Sequence, residues 1–498
     1  MNHIEATYKN SMALLTDFYE ITMAYGFWKN NMHKQKAAFN LFFRNHPFDG
    51  GFTVSCGLDY VIDFLDNFHF SQSDISYLEG LKGNDNEPLF EKRFLDFLST
   101  MKFECDVDAI PEGKLVFPHE PLVRVKGPLL QCQLIESALL NFINFQTLVA
   151  TKAARISIAA KGDPVMEFGL RRAQGIDGSL SASRASYIGG CVGTSNVLAG
   201  KKFGIPVLGT HAHSWVQAFE DELEAFDAFA RALPNNTIFL VDTYNTSKGI
   251  DNAIKITKKM EARGHKITGI RLDSGDLAYF SQMARQKLNE AGLSYMKIVA
   301  SNDLDENIVN SLKQQEAEID SWGIGTKLVT AFDQPALGGV YKLSAIEKKD
   351  GSWEDRLKLS EQSVKINIPG LQQIKRFYKD GKMVGDMIYD ERTDLSGPVR
   401  MIDPADPTRT KTLNKEQLEC EDVLKPVFRN GENLYRKEPL KVIQQRTSDQ
   451  LNLLDKTIKR FINPHRYPVG LEEGLYTRRL KLIFQYKQEI NNNTQAKS

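Results

Sequence analysis

The rhythm of apolar and polar positions changes twice along this chain of 498 residues. Up to about residue 130 the pattern is mixed. Leu14 to Phe27 carries apolar residues at helical spacing, Ala37 to Arg44 reads as a strand, and His46-Pro47-Phe48-Asp49-Gly50-Gly51 reads as a turn. Pro111, Pro118 and Pro121 then punctuate short β-branched runs, which suits a small sheet and not a helical bundle. An α+β domain is therefore expected over residues 1–135.

From about residue 160, short apolar runs end in polar or Gly-rich residues and are each followed by a helical pattern. The runs are Pro164 to Phe168, Pro206 to Thr210, Ile238 to Thr243, Lys266 to Asp273, Tyr295 to Ser301 and Ser321 to Gly325. Between them lie amphipathic stretches such as Ile250 to Arg263 and Asn307 to Gln315. Strand followed by helix, repeated six times, predicts a parallel sheet over residues 136–340, and an irregular α/β barrel before a doubly wound sheet. Past residue 340 the rhythm stops. Val340 to Glu347 and Leu357 to Leu359 read as strands around Lys349-Asp350-Gly351, and Lys379-Asp380-Gly381 marks a second hairpin. A mixed C-terminal region over 341–498 is expected, with a helix from Leu440 to Phe461 and disorder over Asn491 to Ser498.

Composition narrows the function classes. Lys plus Arg and Asp plus Glu both total 63, so the net charge is zero, and a dedicated nucleic-acid binder is not expected. Charge chemistry must then be local. Cys56, Cys105, Cys132, Cys191 and Cys420 are odd in number and contain no C-x-x-C pair, which argues against a disulfide framework or zinc site and for a reducing, cytoplasmic setting. Glu5, Lys9, Asp17 and Glu20 would interrupt the apolar core of a secretory signal. Gly127 to Thr151 carries Glu136 as its one charge, but Gln131, Gln133, Asn141, Asn144 and Gln146 recur at helical spacings, so a buried amphipathic helix is expected there and no membrane span.

In a βα barrel the chemistry sits at the carboxyl ends of the strands. Those ends here carry Glu167-Phe168-Gly169-Leu170-Arg171-Arg172, Gly209-Thr210-His211-Ala212-His213-Ser214, Asp242-Thr243-Tyr244-Asn245, Arg271-Leu272-Asp273-Ser274-Gly275-Asp276, Ser301-Asn302-Asp303 and Gly323-Ile324-Gly325-Thr326-Lys327. The last block has the composition of a phosphate cradle, with backbone N–H groups, a hydroxyl and an ammonium, though its spacing does not fit Walker A and Gly-x-Gly after a strand is often just a tight turn. Arg271 with Asp273 and Asp276 suits an anion held together with Mg²⁺, or a salt-bridged turn. His211 and His213 point to one side if the chain stays extended and diverge if a helix starts there. A metal pair, a nucleophile or general base, and hydrogen-bonded structural residues all remain open for them.

The ordered blocks Leu15-Thr16-Asp17-Phe18-Tyr19, Glu167-Phe168-Gly169-Leu170-Arg171-Arg172-Ala173-Gln174-Gly175, Ser195-Asn196-Val197-Leu198-Ala199-Gly200, Gly209-Thr210-His211-Ala212-His213-Ser214, Arg271-Leu272-Asp273-Ser274-Gly275-Asp276 and Gly338-Gly339-Val340-Tyr341-Lys342-Leu343 resemble the nicotinate phosphoribosyltransferase family. Asn463-Pro464-His465-Arg466-Tyr467-Pro468 continues the likeness. The resemblance implies a type II phosphoribosyltransferase, a homodimer whose active sites are shared between subunits, and an N-terminal α+β domain completed by part of 340–400. It implies that nicotinate, phosphoribosyl pyrophosphate and ATP give nicotinate mononucleotide, pyrophosphate, ADP and phosphate in NAD biosynthesis.

Carried onto this sequence, the resemblance makes His213 the phosphohistidine, and Asp242 and Asp273 the carboxylates near ribose and Mg²⁺. Tyr19, from the partner subunit, and Phe168 would flank the pyridine ring, and Thr210 and Arg271 would touch nicotinate. Thr326, with Gly323 and Gly325, falls in the loop for the ribose 5-phosphate. Arg171, Ser274 and Gly275 lie in blocks expected to bind substrate, and Arg44 is expected to reach phosphate across the dimer. Ser195 takes the position of an aspartate in the related nicotinamide-using enzymes; an aspartate would repel a carboxylate, so Ser195 with Arg271 favours the acid. Two rival readings are a phosphate-binding aldolase or isomerase barrel and a non-enzymatic nucleotide sensor. The first needs a Schiff-base lysine or a proton-abstracting carboxylate, and Lys327 is the lysine nearest a strand end; intact His213, Arg271 and Asp273 weigh against the second.

Overall fold

The computed structural model describes residues 11–360, 366–414 and 418–495. The chain divides into two units, Met1–Thr147 with Ala336–Glu438 and Asp449–Ser498, and Leu148–Pro335 with Pro439–Ser448.

The first unit is built on a seven-stranded antiparallel sheet in the order Trp353–Asp355, Val340–Glu347, Lys36–Phe42, Val123–Pro128, Asp106–Ala109, Lys425–Arg429 and Glu432–Asn433. Lys36–Phe42 is buried at every position but its first, so both faces of this strand are covered and the sequence runs apolar without alternation. Chain remote in sequence completes the sheet, since Val340–Glu347 pairs antiparallel with Lys36–Phe42 and Lys425–Arg429 pairs with Asp106–Ala109. Phe39 and Tyr341 stack across that seam with ring centroids 5.0 Å apart. Helix Phe18–Lys29 follows Asp17 and begins four residues after Leu14, the first apolar position of the pattern.

Two hairpin readings meet different outcomes. Lys379-Asp380-Gly381 joins Gln372–Lys379 to Lys382–Asp390, with Asp380 at φ 49° and Gly381 at φ 66°, the two positive values that an Asp-Gly turn supplies. After Asp350-Gly351 the returning strand is Trp353–Asp355, and Leu357–Leu359 is not a strand. The reason is local, because Asp350 accepts hydrogen bonds from the Ser352 N–H and hydroxyl and Ser352 O accepts Lys348 N–H, which turns the chain back at once. The helix expected to reach Phe461 ends at Leu453, before a turn in which Asp455 accepts the N–H and hydroxyl of Thr457. Disorder expected from Asn491 is contradicted up to residue 495, where helix Glu473–Gln495 continues, because a helix anchored by buried Leu475 and Arg479 propagates cheaply. Residues 496–498 of that stretch, and Glu5 and Lys9 at the other end, lie outside the described residues. Of Gly127 to Thr151, Gly127 and Pro128 end the strand Val123–Pro128 and the rest falls in helices Leu129–Leu134 and Glu136–Ala159 and the Ile135 between them; among the described residues no helix is long and apolar enough to cross a membrane.

The second unit carries six parallel strands in the order Gly193–Thr194, Val165–Glu167, Ser321–Ile324, Lys297–Asn302, Gly269–Leu272 and Ile238–Leu240. Four lie inside the predicted apolar runs, and a fifth, Lys297–Asn302, passes the end of its run by one residue. The sixth, Gly193–Thr194, is too short and too polar to leave a pattern, whereas Pro206 to Thr210 pairs only through a bridge from Val207 to Thr194. Phe239, Ile270, Leu272, Ile298, Trp322 and Ile324 are fully buried between the strands and helices, each large side chain contributing about 1.5–3 kcal/mol. Strand ends hand over to helices through side-chain caps: Asn196 accepts Ala199 N–H, Asn245 accepts Lys248 N–H, Asp276 accepts Tyr279 N–H and Asp305 accepts Ile308 N–H. Much of the polar rim is therefore occupied by helix capping, and what remains is the site.

Candidate active site

Arg271 organises the rim. It lies on strand Gly269–Leu272 between fully buried Ile270 and Leu272, so alternation sends its side chain to the other face. Its guanidinium donates from Nε to Ser301 Oγ at 2.7 Å, from Nη1 to Thr210 Oγ1 at 2.8 Å and from Nη2 to Asp273 Oδ1 at 2.9 Å. One planar fork thus joins three segments, a task a lysine cannot do. Burial pushes the Asp273 carboxyl up, but hydrogen bonding from Ser301 and the charges of Arg271 and His213 outweigh it and hold the group below the ordinary carboxylate range.

Asp242, just past Ile238–Leu240, has a side chain only 1% exposed. Its Oδ2 accepts the Asp273 backbone N–H at 2.9 Å and the Ser274 hydroxyl at 2.7 Å, while Oδ1 is buried without a hydrogen-bond partner. His213 opens helix His213–Gln217 and places Nδ1 3.1 Å from Thr243 Oγ1. Its Nε2 faces Asp242 Oδ1 at 4.0 Å and Asp273 Oδ2 at 3.7 Å, with the ring 38% exposed. Gly275 makes the turn after Ser274 at φ +79°, which a Cβ would strain.

Phe168 continues strand Val165–Glu167, its N–H donating to Ile324 O at 2.8 Å. A Cβ at Gly323 would come within 2.7 Å of the Phe168 ring and one at Gly325 within 2.9 Å of its carbonyl, so both glycines make room for Phe168. That packing alone requires glycine at both positions. Lys327 is not a free ammonium beside Thr326, because it donates to Asp305 Oδ2 at 2.6 Å. Asp276, grouped with Asp273 as a metal ligand in one sequence reading, is engaged as a helix cap. Ser195 is half-buried with its N–H on Glu167 O at 2.9 Å, and Arg171 lies exposed in the turn Leu170–Arg172.

In the first unit, Tyr19 is half-exposed on helix Phe18–Lys29, with its hydroxyl pKa pushed up by burial and by Glu136, Glu20 and Asp17. Arg44 has its Nε buried without a partner, and burial lowers its pKa. Thr243, Ser301 and Glu167 complete the second unit's site and were not singled out from sequence. Glu167 accepts the Ser183 hydroxyl at 2.8 Å, the Thr194 hydroxyl at 2.5 Å and the Gly169 N–H, and so fixes the turn that carries Phe168. All three stand in the strand-end blocks, yet nothing in a Thr, Ser or Glu there separates a site residue from a cap.

Two carboxylates here suit a magnesium ion. Asp242 Oδ1 is an orphaned buried oxygen, and Asp273 Oδ2 faces the same nitrogen of His213. Among the described residues no group of three or more His, Cys, Asp or Glu side chains is arranged to hold a metal, which excludes an all-protein cage. Two carboxylates supplemented by water and phosphate oxygens is the usual manner of Mg²⁺.

Residues 14–144 match the nicotinate phosphoribosyltransferase (NAPRTase) N-terminal domain, residues 164–356 the nicotinate phosphoribosyltransferase (NAPRTase) family and residues 371–479 the nicotinate phosphoribosyltransferase C-terminal domain. The chain belongs to the nicotinate phosphoribosyltransferase family. It is 43% identical to the nicotinate phosphoribosyltransferase of Bacillus subtilis (strain 168), over 97% of both chains, and 34% identical to that of Homo sapiens, over 93% of this chain and 95% of the other. The crystal structure of human nicotinic acid phosphoribosyltransferase superposes with a TM-score of 0.81 at 31% identity, covering 94% of this chain and 99% of that one. The expected α/β architecture with N-terminal and C-terminal domains is the one the family match and this superposition bear out.

Proposed function

We propose that the chain transfers the 5-phosphoribosyl group of phosphoribosyl pyrophosphate to nicotinate in NAD biosynthesis, with ATP hydrolysis coupled through His213. Transfer to nicotinate is the activity of the family to which it belongs. The observation that carries the coupling is the position of His213, whose Nε2 faces two carboxylates while Nδ1 lies at hydrogen-bond distance from Thr243.

The pyridine nitrogen is already a nucleophile, so the chain's task is orientation and charge. The nitrogen lone pair forms the bond to ribose C1 as the C1–O bond to pyrophosphate breaks, through an oxocarbenium-like species. Phe168, with Tyr19 of the partner subunit, would flank the ring, while Arg271 and Thr210 would meet the carboxylate. Ser195 leaves that end of the ring without a like charge. Thr326 and the backbone of Gly323 and Gly325 would hold the ribose 5-phosphate, with Arg171, Ser274, Gly275 and Arg44 assisting the phosphates. Asp242 and Asp273 would hold Mg²⁺, which when bound supplies charge neutralisation for pyrophosphate. In the coupled half-reaction an imidazole nitrogen of His213 bonds to the γ-phosphorus of ATP, ADP leaves, and water later breaks the P–N bond to release phosphate.

The test is incubation with γ-labelled ATP followed by acid. Label on His213 that is lost in acid, together with nicotinate mononucleotide formed from nicotinate and phosphoribosyl pyrophosphate, is the expected result. Absence of both label and mononucleotide would overturn the proposal.

A further inference from the structure

His211 and His213 stand two residues apart yet leave the chain in different directions, because Ala212 is extended at φ −97°, ψ 168° and His213 begins a helix. His211 is buried and takes no part in the chemistry above. Its environment is set by the sheet. From Val207 the hydrogen-bonded order runs through Gly193–Thr194, Val165–Glu167, Ser321–Ile324, Lys297–Asn302 and Gly269–Leu272 to Ile238–Leu240, so the Val207 segment and Ile238–Leu240 are the two ends that a closed ring would join. Among the described residues no backbone pairing closes that ring between the Val207 segment and Ile238–Leu240.

Successive N–H groups of a strand point to opposite edges. The Val241 N–H donates inward to Arg271 O at 3.2 Å, so the Leu240 N–H faces the open edge, and there it donates to His211 Nε2 at 3.2 Å. Leu240 is buried, and its N–H would otherwise be an unpaired donor. The imidazole is held edge-on against Phe229, with ring centroids 4.8 Å apart at 66°, and its Nδ1 lies 3.4 Å from Ala212 O.

We propose that His211 is a positioning residue: its imidazole supplies the rung missing from the sheet and thereby sets His213 against Thr243 and Asp242. The inference rests on the reading of His213 as the phosphorylated residue. The spacing gives it force, since the rung joins residue 211 to residue 240, and His213 meets Asp242 two positions farther along both segments. A slip at the rung is passed directly to the catalytic pair. The role requires the neutral tautomer with the proton on Nδ1, and burial lowers the His211 pKa to about 4, aided by the charges of Arg271 and His213 and opposed by the Ala212 carbonyl.

The experiment compares wild type with His211→Ala and His211→Gln, the glutamine offering a carbonyl oxygen at similar reach. The rate of His213 phosphorylation from labelled ATP, kcat and the KM for nicotinate are measured on folded protein, and ¹⁵N NMR of histidine-labelled wild type at neutral pH reads the tautomer. Expected are a loss of about 10- to 100-fold in phosphorylation rate and kcat for His211→Ala with little change in KM, substantial recovery in His211→Gln, and a protonated Nδ1 with a bare Nε2 at His211. A His211→Ala protein that is phosphorylated at the wild-type rate, a glutamine variant no better than alanine, or the opposite tautomer would each overturn the proposal. If the alanine variant fails to fold, the glutamine variant and the NMR still decide. Wild type that takes no label sinks the His213 reading itself, whereas labelled wild type with an unaffected alanine variant sinks only the rung.

Discussion

The Asp242 carboxylate accepts the backbone N–H of Asp273 at 2.9 Å and so binds the ends of two neighbouring strands while keeping its other oxygen bare and buried. Asp242→Asn leaves the volume unchanged but removes the charge. We expect kcat to fall by about 100-fold, the scale of losing one preorganised electrostatic group, with little change in melting temperature. Steady-state formation of the mononucleotide alongside a thermal melt checks this, and near-wild-type kcat would remove Asp242 from the chemistry.

Arg271→Lys retains the charge but cannot hold Ser301, Thr210 and Asp273 together. With hydrogen bonds to a charged group worth about 1.5–3 kcal/mol each, a rise of about 10- to 100-fold in the KM for nicotinate is expected. Nicotinate saturation curves measure it; an unaltered KM would show that Arg271 serves the fold and not the substrate.

Ser195→Asp brings a carboxylate to the position that favours the acid in our reading. The KM for nicotinate should rise, more at low ionic strength than at high, because the effect is like-charge repulsion. Kinetics indifferent to the substitution would remove the argument for acid over amide.

Shared sites predict complementation. Tyr19→Ala and His213→Ala chains, each inactive as homodimers, should regain about a quarter to a half of wild-type activity per site when mixed into heterodimers, since one of two sites then carries both native residues. Verified heterodimers without activity would place Tyr19 and His213 in the same subunit's site.

Stability should fall on acidification. Burial lowers the pKa of His46 to about 3 and of His119 and His211 to about 4, with nearby arginines adding to each and His213 also bearing on His211. These rings are neutral when folded and bind protons on unfolding below about pH 6.5, so their contribution is complete above that pH and is lost as it falls towards 4. Glu20 runs the other way. Burial raises its carboxyl to about 7 against the opposing hydrogen bonds of Ser137 and Thr16, so the folded state binds its proton first and gains stability as pH drops from 7 to about 4.5. Melting temperatures from pH 4 to 8 should therefore decline below 6.5, and more steeply in Glu20→Gln. An unchanged slope in that variant would contradict the assignment to Glu20.

What the sequence determined by itself is the architecture and the identity of the rim. Apolar runs followed by amphipathic stretches are a local pattern, so five of the six parallel strands and the Asp380-Gly381 hairpin could be read directly. The ordered blocks named the family because each is a contiguous stretch that can be read without the fold. Tertiary structure decided everything that depends on which segments meet. Val340–Glu347 joins the N-terminal sheet by pairing with a strand 300 residues earlier, a choice made by edge complementarity that no local pattern encodes. Asp273 and Asp276 are three residues apart in one motif, yet one faces His213 and the other caps a helix, because the turn at Gly275 separates their directions. Gly323 and Gly325 read from sequence as a phosphate cradle, and only the fold shows that the bulk of Phe168 on the adjoining strand also requires glycine at both positions. His211 and His213 looked equivalent, and the start of one short helix sent the first to a backbone rung and the second to the carboxylates. Side-chain direction is fixed by dihedral angles and by neighbours distant in the chain, and those are properties of the folded molecule alone.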